Sequence, residues 1–205
     1  MDFSTNNILV VLLALIIAIT LHESMHAFAS LWLGDDTAKR EGRISLNPLN
    51  HIDPFGTILL PLITLLLFKV PLLAAKPVPF NPDRVKYDEF GAALVGIAGP
   101  LTNLVLALLS GLLLRSVGAN LSGIPLEFLV TFFKLNVALF VFNMIPIPPL
   151  DGSRLLYAFA PEALQNAMAQ LEQFGIFIVF GLILAVPAFL TILINIDNAI
   201  IRLLI

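Results

Sequence analysis

Residues 22–26 read His22-Glu23-Ser24-Met25-His26, and those types at that spacing suit one chemistry above others. On a helix, positions four apart share a face, so both imidazoles can reach a single metal ion. Glu23, one residue along, stands beside the open coordination position, where it can take a proton from water, as in zinc hydrolases. In a chain with 3 His, the HExxH pattern arises by chance about once in a thousand such chains. The competing reading is a pair of buried histidines held by interhelical hydrogen bonds. Burying three ionisable groups in an apolar run is costly, however, and asks for a partner or a function. Hydrolytic zinc sites use three protein ligands with water as the fourth. Candidates for the third are Asp151, His51, Asp53 and Glu127. With 0 Cys there is no thiolate ligand, no thiol nucleophile and no disulfide.

The elements that must position these groups follow from composition. Of 205 residues, 59% are hydrophobic and 12% charged, against roughly 45–50% and 25% in soluble domains. That is too little polar surface for a water-soluble or disordered chain. A net charge of −3 with 11 Lys+Arg gives no basic stripe, so no nucleic-acid partner is expected. The chain reads as an all-α integral membrane protein forming a single domain. A helix needs about 20 apolar residues to span the hydrocarbon, and runs 8–33, 90–114, 128–145 and 174–194 qualify. The first run is too long for a signal h-region and lacks basic residues ahead of it, so it reads as a retained span.

Segment 55–75 is apolar but contains Pro61, Lys69 and Pro71. If it does not cross, one side holds Lys39, Arg40, Arg43, Lys69, Lys76, Arg84, Lys86 and Arg154. The other side then holds Arg115 and Arg202, while Lys134 falls inside a span. That asymmetry follows the positive-inside rule and vanishes if the segment crosses. Segment 55–75 therefore reads as re-entrant or membrane-surface structure, with irregular or β-like stretches near 40–50 and 76–82. The irregular segments 44–50 and 55–79 could offer an edge to an extended substrate.

Asp151 lies in Asn143-Met144-Ile145-Pro146-Ile147-Pro148-Pro149-Leu150-Asp151-Gly152, where prolines stop a helix and let the chain turn back. Its bland role is N-cap of a helix beginning at Gly152. Spacing alone leaves the two roles near even, but the first and third spans run parallel in the four-span topology. His22 and Asp151 then approach each other toward the same membrane face.

The sequence resembles the site-2 protease family of intramembrane zinc metalloproteases. HESMHA is similar to that family's HExxH on a core helix, and Asn143 to Gly152 to its NxxPxxxLDG motif. Gly96-Ile97-Ala98-Gly99-Pro100-Leu101-Thr102-Asn103 is similar to its glycine-rich core motif. Segments 42–48 and 75–79 resemble those of its small bacterial and archaeal members, without the PDZ or CBS-type modules of larger ones. The resemblance implies one Zn2+ held by His22, His26 and Asp151, with Glu23 as general base and Asn143 aiding substrate or oxyanion. It implies a transmembrane protein or peptide as substrate, lipid as surroundings, and a multi-pass protein of a prokaryotic cell membrane. The charge bias puts the active site toward the cytoplasmic side. Asn103 and His51 stay open: Gly96 and Gly99 more often signal helix packing, and a loop histidine is by default solvated. The rival from another class is a proteolytically inactive zinc-containing scaffold, whose closed site would need a fourth ligand, with His51 the spare. A metal transporter would show inverted repeats or paired broken helices, and no repeat is visible.

Overall fold

A computed structural model describes residues 5–51, 53, 76 and 78–205. In chain order its helices are α1 (Thr5–Trp32), α2 (Thr37–Arg40), α3 (Asp88–Val117), α4 (Gly123–Asn143), α5 (Gly152–Phe159), α6 (Glu162–Glu172), α7 (Gly175–Ala185) and α8 (Pro187–Leu204). Short 3-10 turns occupy Pro48–Asn50, Pro82–Arg84 and Gly118–Asn120, and no strand occurs among the described residues. The expected re-entrant segment 55–75 lies outside the described residues. Residues 40–50 and 78–82 are irregular rather than β: side chains of Asn47 and Asn81 accept from the amides of Leu49 and Asp83 and start 3-10 turns, each led by a proline. Asx-Pro sequences favour such turns over a ladder.

Among the described residues, four helices are long and apolar enough to cross a membrane: 8–32, 88–120, 123–143 and 187–204. The last overlaps the C-terminal part of the expected span 174–194. Pro187 lacks a backbone N–H and occupies the first turn of α8, so the apolar run splits into α7 and α8 at Val186. The helix then runs on through Asn195, Asp197 and Asn198, because Leu193, Ile200, Ile201 and Leu204 pack on a core of Ala107, Phe133, Val137 and Val141. The start of α4 also precedes the expected 128, since Pro125 sits in its first turn, where a missing N–H costs nothing.

Cross-contacts give the directions. His22 and His26 of α1 meet Asn103 and Val95 of α3, so α1 and α3 are antiparallel. Asn103 meets Asn136 of α4, and Gly111 faces Phe133, so α3 and α4 are antiparallel and α1 runs parallel to α4. Close approach is possible because the buried face of α1 is small: Ala14, Ala18, Ala27 and Ser30 are each 0% exposed. Small faces let helices pack in lipid, where no hydrophobic force draws them together. Leu9, Leu12, Leu13 and Ile16 are exposed on the outer face of α1, as lipid contact requires.

A polar clamp ties the end of α1 to the start of α3. The buried Asp35 carboxylate accepts from the Thr37 hydroxyl at 2.6 Å, the Thr37 amide at 3.0 Å and the Asn81 amide at 2.7 Å. The Lys86 amide donates to Leu33 O at 2.8 Å. Burial works to raise the Asp35 pKa, but these donors and the Arg84 charge prevail and hold it below the ordinary carboxylate value of 3.8.

Candidate metal centre

His22 lies ten residues before the end of α1, about 15 Å down the helix axis. The HExxH spacing puts His22 and His26 on one face, with ring centroids 4.7 Å apart. Each imidazole is fixed through Nδ1. His26 Nδ1 donates to Val95 O at 2.8 Å, and His22 Nδ1 donates to Asn103 Oδ1 at 2.6 Å. Both Nε2 atoms therefore carry lone pairs, and they face each other at 3.0 Å. A carbonyl or amide oxygen on the far nitrogen is the usual way a protein sets the tautomer and aim of a metal-binding histidine.

Asp151 completes the group. After α4 ends at Asn143, Pro146, Pro148 and Pro149 prevent helix continuation, and the chain folds back sharply. A Cβ on Gly152 would fall 2.4 Å from Met144 O, so only glycine closes this turn. Asp151 occupies the N-cap position of α5 but makes no capping hydrogen bond. Its Oδ2 instead lies 3.1 Å from His22 Nε2 and 3.4 Å from His26 Nε2. The competing cap role is thus not the one this carboxylate plays.

The donor set fits a divalent cation. Ligand atoms about 2.0–2.1 Å from a tetrahedral zinc stand about 3.3 Å from one another, close to the 3.0, 3.1 and 3.4 Å found here. Two imidazole nitrogens and a carboxylate oxygen suit zinc among the common divalent ions. Among the described residues, His22, His26 and Asp151 form the group able to hold a metal ion. Room for it comes from α3. A Cβ on Gly99 would lie 2.3 Å from His26 Nε2 and 2.7 Å from His22 Nε2. One turn earlier, a Cβ on Gly96 would lie 2.9 Å from Arg154 Cβ, so that glycine lets α5 dock and carry Asp151 inward. Glu23 is buried beside these donors, at 9% exposure.

The other candidates separate clearly. Glu127 sits in the first turns of α4, about 24 Å along the axis from Asn143, and Asp53 is not part of the group. Asn143 ends α4 partly buried, with its amide donating to Leu139 O at 2.9 Å. His51, expected as a solvated loop residue, is 2% exposed. Its Nε2 donates to Ser45 O at 2.8 Å, beside the Ser24 hydroxyl, which also lies 2.6 Å from Thr20 O. His51 thereby fastens loop 45–51 to α1 through Ser24, and it does not join the metal group. The scaffold reading so loses its spare fourth ligand. Asn103, read mainly as part of a packing motif, directly holds the His22 ring. Asn136, which carries the next link, was not singled out, although a fully buried amide in an apolar span is the signal for it.

Comparison with known proteins agrees with this geometry. The family model described as Peptidase family M50 matches residues 118–187. The chain is 38% identical over 187 residues to "Putative zinc metalloprotease YwhC" of Bacillus subtilis (strain 168), covering 85% of this chain and 80% of the relative. It is 29% identical over 178 residues to "Putative zinc metalloprotease Rip2" of Mycolicibacterium smegmatis, covering 84% and 65%. A shorter stretch of 73 residues is 37% identical to "Zinc metalloprotease MJ0392" of Methanocaldococcus jannaschii, covering 36% and 21%. No solved structure matches the chain.

Proposed function

The chain belongs to peptidase family M50, the family of site-2 proteases, and from that premise we propose that it is an intramembrane zinc metalloendopeptidase. It would hydrolyse a peptide bond within or near a transmembrane segment of a membrane-protein substrate. The observation that carries the proposal is the convergence of His22 Nε2, His26 Nε2 and Asp151 Oδ2 within 3.0–3.4 Å, with both imidazoles on a helix apolar enough to cross a membrane. Ionisable groups at that depth imply a wet cavity and a function.

His22, His26 and Asp151 would hold one zinc ion. When bound, zinc supplies Lewis acidity, polarising the scissile carbonyl and making water a competent nucleophile near neutral pH. Glu23 then accepts a proton from the attacking water and returns it to the leaving amine nitrogen. The Asn143 side-chain amide offers an N–H donor for the developing oxyanion. Asn103 and Val95 hold the imidazoles in the tautomer that presents Nε2, so the ligands need no reorganisation before the reaction. A substrate helix must unwind to expose its carbonyl, since a helical peptide bond is both hydrogen-bonded and dry.

Sidedness follows from charge. The loop after α1 and the approach to α3 carry Lys39, Arg40, Arg43, Arg84 and Lys86, and α5 carries Arg154. The opposite ends carry Arg115 and Arg202. By the positive-inside rule the site would open toward the cytoplasm. Purified protein mixed with a transmembrane peptide should cleave it, and Glu23→Gln should retain zinc while losing about 100-fold or more of the rate. Cleavage at the wild-type rate by Glu23→Gln would overturn the proposal.

A further inference from the structure

Asn136, on α4, touches neither imidazole, yet the hydrogen bonds around it have a direction that ends at His22. Its Nδ2 donates to Phe132 O at 2.8 Å, and a backbone carbonyl can only accept. That turns Asn136 Oδ1 toward Asn103, whose Nδ2 donates to it at 2.8 Å. Asn103 must therefore present Oδ1 to His22, so that His22 Nδ1 is the protonated nitrogen and Nε2 keeps its lone pair. A reversed Asn103 amide would aim an N–H at Nδ1 and force the proton onto Nε2, which removes the ligand atom. Both asparagines are 0% exposed, so no solvent competes for these bonds.

We propose that Asn136 is a positioning residue for the metal centre, acting through Asn103 to fix the tautomer of His22. The two imidazoles are thus oriented by backbone carbonyls of two different helices. His26 is set directly by Val95 O of α3, and His22 is set through two amides by Phe132 O of α4. Packing of α4 against α3 becomes a condition for metal binding by α1. The inference rests on reading His22 as a ligand, but its first readout is taken on metal-free protein and does not depend on proteolysis.

The test uses the full chain in detergent micelles, labelled with 15N-histidine and stripped of metal, with ring tautomers read from long-range proton–nitrogen correlations. Wild type should show His22 and His26 protonated on Nδ1, and His51 on Nε2, because His51 Nε2 faces Ser45 O. Asn136→Leu should move His22 alone toward the Nε2–H form and weaken zinc binding about 10–100-fold. His26 and His51 serve as internal controls that the fold persists. The double substitution Asn103→Asp with Asn136→Leu should restore the His22 pattern, because a carboxylate only accepts and needs no orienting. Asn136→Asp still accepts from Asn103, so it should keep that pattern and serves if Asn136→Leu does not fold. An unchanged His22 in folded Asn136→Leu, loss of the pattern in Asn136→Asp, or failure of rescue would each overturn the proposal. Normal tautomer behaviour and zinc binding without peptide cleavage would refute the protease reading and leave this one standing.

Discussion

Gly99→Ala adds one methyl group at the closest approach of α3 to the ligands. The new Cβ would lie 2.3 Å from His26 Nε2 and 2.7 Å from His22 Nε2. Ordinary contact needs about 3.5 Å, so at least one ring nitrogen must retreat by about 1 Å. Metal–ligand distances tolerate about 0.2 Å, so one ligand is forfeited. Zinc sites bind with about 10–16 kcal/mol in total. Losing one of three protein ligands then costs about 3–5 kcal/mol, or at least a 100-fold weaker affinity. Apo-protein stability should change far less, since a helix gains about 0.5–1 kcal/mol from Gly→Ala and overpacking costs about 1–3 kcal/mol. Competition against a chelator of known affinity measures the first quantity, and circular-dichroism melting of apo-protein the second. Gly181→Ala, where no atom lies within 4 Å of the added Cβ, is the control and should bind zinc as wild type does. Zinc affinity of Gly99→Ala within twofold of wild type would refute the placement of the ligands against α3.

Asn143→Ala should leave zinc binding intact and lower kcat about 100–1000-fold if its amide serves the oxyanion; an unchanged kcat in the peptide assay would remove it from the mechanism. Asp35→Asn should destabilise the fold by about 1–3 kcal/mol, because a carboxylate accepting three bonds becomes an amide with one oxygen. Since the folded Asp35 pKa is depressed, its contribution is full above the unfolded value near 3.8 and fades as pH falls through the lower folded value. Melting temperatures from pH 7 to 3 should therefore fall less steeply for Asp35→Asn than for wild type. Gly152→Ala should cost zinc binding as Gly99→Ala does, because its Cβ would meet Met144 O at 2.4 Å and open the turn that brings Asp151 back; metal analysis of the purified variant checks this.

The grouping of His22 with His26 was legible because their spacing encodes a shared helix face. Four residues on a helix is a geometric statement, and the proline-rich break announces a chain that turns. Which of two roles Asp151 takes was not readable from spacing, since a cap and a ligand occupy the same N-terminal position; the direction of the side chain decides it. The expected spans 8–33, 90–114 and 128–145 overlap apolar helices of spanning length, whereas the expected 174–194 divides between α7 and α8. An apolar window is blind to one proline between two apolar halves, and it stops at Asn195 although one face of that helix remains apolar through Leu204. Asn136 and His51 illustrate a further limit. Their partners, Asn103 and Ser24, are 33 and 27 residues away, and no local pattern reports a contact made by helix packing. Glycines 96 and 99 signalled close approach, but only the fold shows that the approaching groups are α5 and the two imidazoles.

On the proposed reading, His22, His26 and Asp151 hold one zinc ion within the membrane-spanning bundle. Zinc-edge X-ray absorption on the purified chain, with metal content measured on the same sample, tests it most directly. The predicted result is about one zinc per chain, with nitrogen and oxygen neighbours at about 2.0–2.2 Å and two imidazole signatures, and loss of that zinc in Asp151→Ala. A full zinc complement with an unchanged ligand shell in Asp151→Ala would contradict the account.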